Sequence, residues 1–340
     1  MNQEIDRETY IFFEKVTLCF QIALITFAII GIVLIIPHLF ITTRKSMRTS
    51  STNSLIIGIA ICDLLVLFTA VAPITWKNDD PCTNMHTYFN VIEVFLLKIV
   101  ADTCTRCSYY LGLSLAVIRL LVIMFPMSSR IETLSKQSIG YVVIVLMMFI
   151  NFLPTANYYF RLGVAPGNDW TPPETCTKFP SNYTEPTYSD VLPTEYQYKL
   201  YQVISGGLQF FACISHPIAA ILLYLVIRKS AKIAVHLSTQ AHSDRRRASK
   251  LVLLMTLSYV ISSAPMGLNY FFSIINWSSI MMNLAIGYGG VIVFMFFTIN
   301  ASMHCFICLI MSSDYRKTVK SLLRIGKEEK IIVQSVTLRN

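Results

Sequence analysis

Five charged residues stand in otherwise apolar surroundings, and they limit the chemistry open to this chain. Asp63 lies inside an uncharged run at 53–75, and Lys98, Asp102 and Arg106 recur at i, i+4 and i+8 in a later run that also carries Arg119. On a helix that spacing puts the trio on one face, with Asp102 able to pair with both cations. If these runs cross a bilayer, each isolated charge at mid-membrane costs about 2.5–3.5 kcal/mol on insertion scales, so the groups face an interior or a watery cavity. A carboxylate placed like Asp63 needs a cation, a proton or polar partners. The trio is suited to reading the charged ends of a bound molecule, with a self-satisfied structural triad as the rival reading. Catalysis is a poorer reading. The histidines (His38, His86, His216, His236, His242, His304) form no close-spaced pair, and Asp63 and Asp102 occupy different runs at different depths. The pairs Cys104/Cys107 and Cys305/Cys308 have zinc-like spacing but lie within apolar runs, where they read as small packing residues.

The elements that must position these residues are membrane helices. Of 340 residues, 54% are hydrophobic and 14% charged, against about a quarter charged in soluble chains. Seven apolar runs occur at roughly 16–41, 53–75, 85–124, 138–160, 199–227, 250–272 and 284–310. Each approaches or exceeds the ~20 residues that cross ~30 Å of hydrocarbon. Helices are expected, because lipid offers no partner to an open backbone. The third run is over-long and should project beyond the bilayer. Glu4, Asp6, Glu8 and Glu14 accompany Arg7 and Lys15 before the first run, which therefore reads as a retained anchor, not a signal peptide. The fold class expected is an all-α membrane protein: a seven-transmembrane helix bundle over 16–311, an extracellular N-terminus over 1–15 and a cytoplasmic tail over 312–340.

Charge sets the orientation. Nineteen of the 28 basic residues fall on one set of connecting segments, among them Arg44, Lys45, Arg48, Arg228, Lys229 and Arg245 to Arg247. The opposite set holds six, beside eleven acidic residues. The basic side is read as cytoplasmic, so the net charge of +9 is a topology signal and no mark of nucleic-acid binding. Only Cys82 and Cys176 fall in outer segments, where oxidation is permitted; a disulfide between them would tie the first outer loop to the second. The longest outer segment, about 161–198, holds Pro166, Pro172, Pro173, Pro180, Pro186 and Pro193. Such proline density opposes a helix and favours a turn-rich or hairpin-like cover over a pocket. The sequons at Asn182 and Asn276 lie outside and are glycosylation candidates; a third, at Asn300, lies within the seventh run. After that run, Tyr315, Val319, Leu322 and Leu323 recur at helical spacing between Arg316, Lys317, Lys320 and Arg324. That pattern suits a short amphipathic C-terminal interfacial helix whose basic side meets anionic membrane lipids.

At the inner end of the third run, Arg119 is followed by Pro126 seven residues later. This stretch resembles the Asp-Arg-Tyr segment of rhodopsin-like G-protein-coupled receptors, although Ile118 and Leu120 replace the acidic and aromatic neighbours. Ile59-Ala60-Ile61-Cys62-Asp63 resembles the Leu-Ala-x-x-Asp motif of the same superfamily. Asn300-Ala301-Ser302-Met303-His304 stands where Asn-Pro-x-x-Tyr is usual and keeps only the asparagine. Pro217 and Pro265 are retained, Ser263 stands where a tryptophan is common, and Gly31-Ile32 lacks the usual asparagine. These departures, with Arg106-Cys107-Ser108-Tyr109-Tyr110-Leu111-Gly112-Leu113 and Met311-Ser312-Ser313-Asp314-Tyr315-Arg316, are similar to nematode serpentine receptor class W over about residues 20–325. That group resembles receptors for FMRFamide-like and myosuppressin-like neuropeptides.

The resemblance implies a plasma-membrane receptor without a cofactor. Its partners would be an extracellular peptide ligand, heterotrimeric G protein and membrane lipids. Arg119 and Pro126 would serve G-protein coupling, since an arginine at a helix end can bond carbonyls in one state and a partner's C-terminus in another. Asp63 would be met by Ser108 and Asn300, around a polar or sodium site. Asp102 lies seventeen positions before Arg119, about 25 Å along a helix, so Lys98, Asp102 and Arg106 are expected to bind the ligand in the outer half. An acidic outer surface steers basic peptides. A chemosensory receptor for a small-molecule odorant is the alternative. A membrane transporter is more distant: it would show repeated halves with paired broken helices, and Pro217 and Pro265 do not occupy matched halves.

Overall fold

The computed structural model describes residues 7–322 except 49, 77–81, 85, 126–127, 181, 192–193, 235–239 and 276–279. Its helices are α1 (Arg7–Thr42), α2 (Ser51–Trp76), α3 (Tyr88–Met124), α4 (Ser129–Leu134), α5 (Gln137–Tyr159), α6 (Glu195–Ala234), α7 (Gln240–Ile274) and α8 (Ile280–Met311). A last helix, α9, covers 313–322. Seven of these, all but α4 and α9, are long and apolar enough to cross a membrane. They match the seven apolar runs. The third is over-long as expected, at 37 residues. The first begins earlier than its apolar run, at Arg7. Its added turns are held by packing: Phe13 stacks on Tyr288 of α8 at 5.7 Å.

The bundle is apolar on both sides, as lipid requires. Leu55, Ile59, Leu67, Leu111, Leu115, Leu223, Met255 and Phe297 fill its interior, while Val33, Val145, Ile221, Ile261 and Ile310 are exposed on its outer surface. Helix α3 packs against α2, α5, α6 and α7, which brings its side chains to the partners that those four helices supply.

The proline-rich outer segment forms a hairpin. Strands β1 (Gly163–Pro166) and β2 (Tyr188–Val191) pair antiparallel, with Gly163 opposite Val191 and Pro166 opposite Tyr188. A bridge between Trp170 and Glu185 extends the pairing, and Trp170, Phe179 and Tyr183 form a chain of ring contacts at the tip. Several ties hold the hairpin to the start of α3, among them Asn84 Nδ2 donating to the Pro186 carbonyl at 3.4 Å and a Tyr88–Tyr188 ring contact at 5.5 Å. The Cys82–Cys176 disulfide joins the loops as expected, and the Tyr188 N–H donates to the His86 carbonyl at 2.8 Å. At the other end, α9 buries Tyr315 and exposes Lys317, the two-faced pattern read from its sequence. The Tyr315 hydroxyl lies 3.1 Å from His38 Nδ1 on α1, and burial pushes its phenol well above the ordinary range, so it stays neutral.

Candidate functional site

In the half of the bundle nearer the hairpin, which the charge pattern reads as the outer half, a cavity of about 390 Å³ is lined by Asp102 and Arg106 of α3, Gln209 of α6, Asn269 and Tyr270 of α7 and Phe294 of α8, among others. One turn of α3 separates Asp102 from Arg106, so both reach the same space. The expected ion pairing does not occur: among the described residues Asp102 bridges neither Arg106 nor Lys98. Neighbouring helices supply neutral partners instead. Asp102 Oδ2 accepts from the Tyr201 hydroxyl at 2.6 Å and the Tyr159 hydroxyl at 3.1 Å. Arg106 is buried and donates to the Asn151 carbonyl at 3.2 Å, to Ser205 Oγ at 3.4 Å and to Thr155 Oγ1. Lys98 is exposed and does not line the cavity. Two steps of i+4 turn a helix face by roughly 80°, so the outermost member of the trio drifts off the face that its innermost member occupies.

The cavity leaves polar atoms unmet. Arg106 Nε and both side-chain polar atoms of Gln209 are buried without a hydrogen-bond partner. Gln209, Tyr159 and Tyr201 were not singled out from the sequence. Gln209 is a lone amide on an apolar stretch, whereas Tyr159 and Tyr201 sit among other polar residues at helix ends, and no local pattern marks which way any of them turns.

Deeper in the bundle Asp63 is fully buried on α2. Its Oδ1 accepts from the Ser108 hydroxyl at 2.7 Å, and its Oδ2 accepts from His304 Nδ1 at 2.9 Å. The Ser108 hydroxyl is also 3.3 Å from that of Tyr259, whose ring lies 5.0 Å from the His304 ring. Gly112 permits this arrangement: a Cβ there would stand 2.4 Å from the Tyr259 ring. Only glycine lets that ring cross α3 and bring its hydroxyl up to Ser108, one turn away. Ser108 thus meets Asp63 as the resemblance implies, whereas Asn300 does not. Its amide is buried, and neither polar atom has a hydrogen-bond partner. The donor set does not fit a sodium ion, because the His304 imidazole occupies the place beside Oδ2 and Asn300 brings no oxygen to the carboxylate. His304 was missed as a partner, although it lies four residues after Asn300 and so shares its helical face.

At the inner end of α3, Arg119 is half-buried, while its neighbour Ile118 packs into the core where an acidic residue is usual. Pro126 lies outside the described residues, as does Asn276. Asn182 is exposed near the hairpin tip with φ 86°, a left-handed conformation that asparagine tolerates.

The profile of the family described as serpentine type 7TM GPCR chemoreceptor Srw matches residues 22–326. No match to a curated protein was found. The profile takes in the seven-helix bundle, the outer cavity, the Asp63 cluster and α9. With nearly the whole chain matched, this protein belongs to the Srw family of serpentine seven-transmembrane G-protein-coupled chemoreceptors.

Proposed function

We propose that this receptor binds the end of an extracellular FMRFamide-like neuropeptide in the outer cavity and signals to a heterotrimeric G protein at the inner end of α3. Membership of the family implies a ligand and G-protein coupling; the peptide and its contacts are what we propose beyond it. The N-terminus lies outside the plasma membrane and the tail inside, with Arg119 and Pro126 serving coupling and Asn182 and Asn276 carrying glycans.

One observation supports this reading most. The cavity is lined by two opposite charges that do not neutralise each other, beside an Arg106 Nε and a Gln209 amide that are buried and unpartnered. Each unmet buried group costs about 1–3 kcal/mol, and a ligand that supplies the missing partners relieves that cost only when bound. The volume of about 390 Å³ stands at the small end of the ~300–1,000 Å³ usual for ligand sites. It admits one terminal portion of a peptide, and the remainder would lie along the hairpin cover. There Asp169, Glu174 and Asp190 are exposed, which favours a basic ligand through electrostatic steering.

The same volume, with the chemoreceptor description of the family, favours a small-molecule odorant as the second reading. A screen of amidated peptides and volatile compounds against the expressed receptor, read by G-protein nucleotide exchange, separates the two. Peptide activation that Arg106→Glu weakens by about 100-fold or more, the size expected when a buried charge contact is broken, supports the proposal. A response confined to volatiles moves the assignment to the odorant. Unchanged potency in surface-expressed Arg106→Glu removes Arg106 from the site.

A further inference from the structure

We infer that His304 holds the Asp63 carboxylate in place of a metal counter-ion, so that the polar centre of this bundle closes without sodium. A carboxylate inside a membrane must be met by a cation, a proton or polar donors. Here both oxygens are met by side chains: Ser108 Oγ stands 2.7 Å from Oδ1 and His304 Nδ1 stands 2.9 Å from Oδ2. A ring nitrogen facing a carboxylate serves as an N–H donor whether the imidazole is neutral or charged, because the carboxylate only accepts. The contact therefore does not depend on the charge of the ring.

A hard cation collects oxygen lone pairs. At Asp63 the imidazole nitrogen stands 2.9 Å from Oδ2, in a place where a cation would need a further oxygen, and Asn300 brings none to the carboxylate. The uncommitted oxygen nearby in sequence is Asn300 Oδ1, buried but hydrogen-bonded neither to Asp63 nor to Ser108. His304 also reaches beyond the carboxylate. Its ring packs against Tyr259, and the Tyr259 hydroxyl returns to Ser108. One imidazole thus joins α8 to α2 directly, and to α3 through α7. An ion can leave such a centre when the surrounding salt changes; a side chain cannot. His304 is a positioning residue, and the arrangement of these four helices is insensitive to external sodium.

The test needs no ligand and stands apart from the peptide reading. Purified full-length receptor in lipid nanodiscs is melted in about 0.15 M sodium chloride, a physiological ionic strength, and in the same concentration of choline chloride. The wild-type midpoints are expected to agree within about 1 °C, a small fraction of the shift that site occupancy produces. A sodium-specific rise of several degrees overturns the inference. His304→Asn puts an amide oxygen beside Asn300 and frees Asp63 Oδ2, and is expected to acquire a sodium-specific rise of about 2 °C or more. A variant equally stable in both salts shows that His304 is not what keeps the ion out, and the inference falls. If His304→Asn does not fold, His304→Gln is judged by the same criterion, and the wild-type melt remains decisive against the inference.

Discussion

Asp63 and Asp102 are two carboxylates within one apolar bundle, and their surroundings treat them oppositely. Around Asp63 each carboxylate oxygen has its own donor, from Ser108 and from His304, and the carboxylate is fully buried, so the unmet atoms nearby are His304 Nε2 and the Asn300 amide, not the charge itself. Around Asp102 both tyrosine donors meet the same oxygen, the residue is half-buried, and its side chain lines a cavity. A charge whose partners are complete fixes the packing of helices. A charge whose partners are incomplete is open to a ligand. The second kind costs stability in the empty receptor, which supports the proposal that Asp102 belongs to a ligand site.

Substitutions break or sharpen this contrast. His304→Leu strands Asp63 in the core and is expected to cost about 3–5 kcal/mol, the penalty for removing one partner of a buried charge. A steep fall in melting temperature and surface expression checks it; a loss below about 1 kcal/mol would put Asp63 on the same footing as Asp102. Gly112→Ala pushes a methyl into the Tyr259 ring and is expected to cost about 1–3 kcal/mol. The same melts read the loss, with ligand affinity unchanged. Asp102→Asn removes the charge yet keeps an oxygen for Tyr159 and Tyr201. Its stability should change by less than about 1 kcal/mol, while the potency of a basic peptide drops about tenfold, or ~1.4 kcal/mol. Lys98→Gln should alter neither quantity by more than about 0.5 kcal/mol, since an exposed residue off the cavity has nothing to lose.

The seven spans were legible because hydrocarbon thickness and apolar content impose one length scale on every crossing helix. The earlier start of α1 was not, because Phe13 on Tyr288 is a contact between distant segments. The same division runs through the site. Asp63 and Arg106 announced themselves as charges in apolar runs, and the Cys82–Cys176 link followed from where the loops lie. Their partners depend on how each helix turns about its axis. Thr155, Ser205 and Tyr201 meet the α3 charges through rotations of α5 and α6 that no local spacing reveals. Lys98 shows the same limit from the other side, since an i+8 spacing looks coherent until the accumulated drift is counted. His304 is the exception: its place one turn after Asn300 is legible in the sequence, and an imidazole there can hold a carboxylate where the usual tyrosine would only donate a hydroxyl.

The central claim is that the outer cavity is left polar and incomplete for a ligand, and Gln209→Leu tests it most directly. Both polar atoms of Gln209 are buried and unpartnered, and leucine fills similar space without them. The empty receptor should melt about 1–3 °C higher, as expected when an unsatisfied polar group is replaced by an apolar one. Ligand potency in nucleotide exchange should fall about tenfold or more, the cost of a lost buried hydrogen bond. A variant that keeps full potency, or that loses stability with potency intact, would contradict the claim.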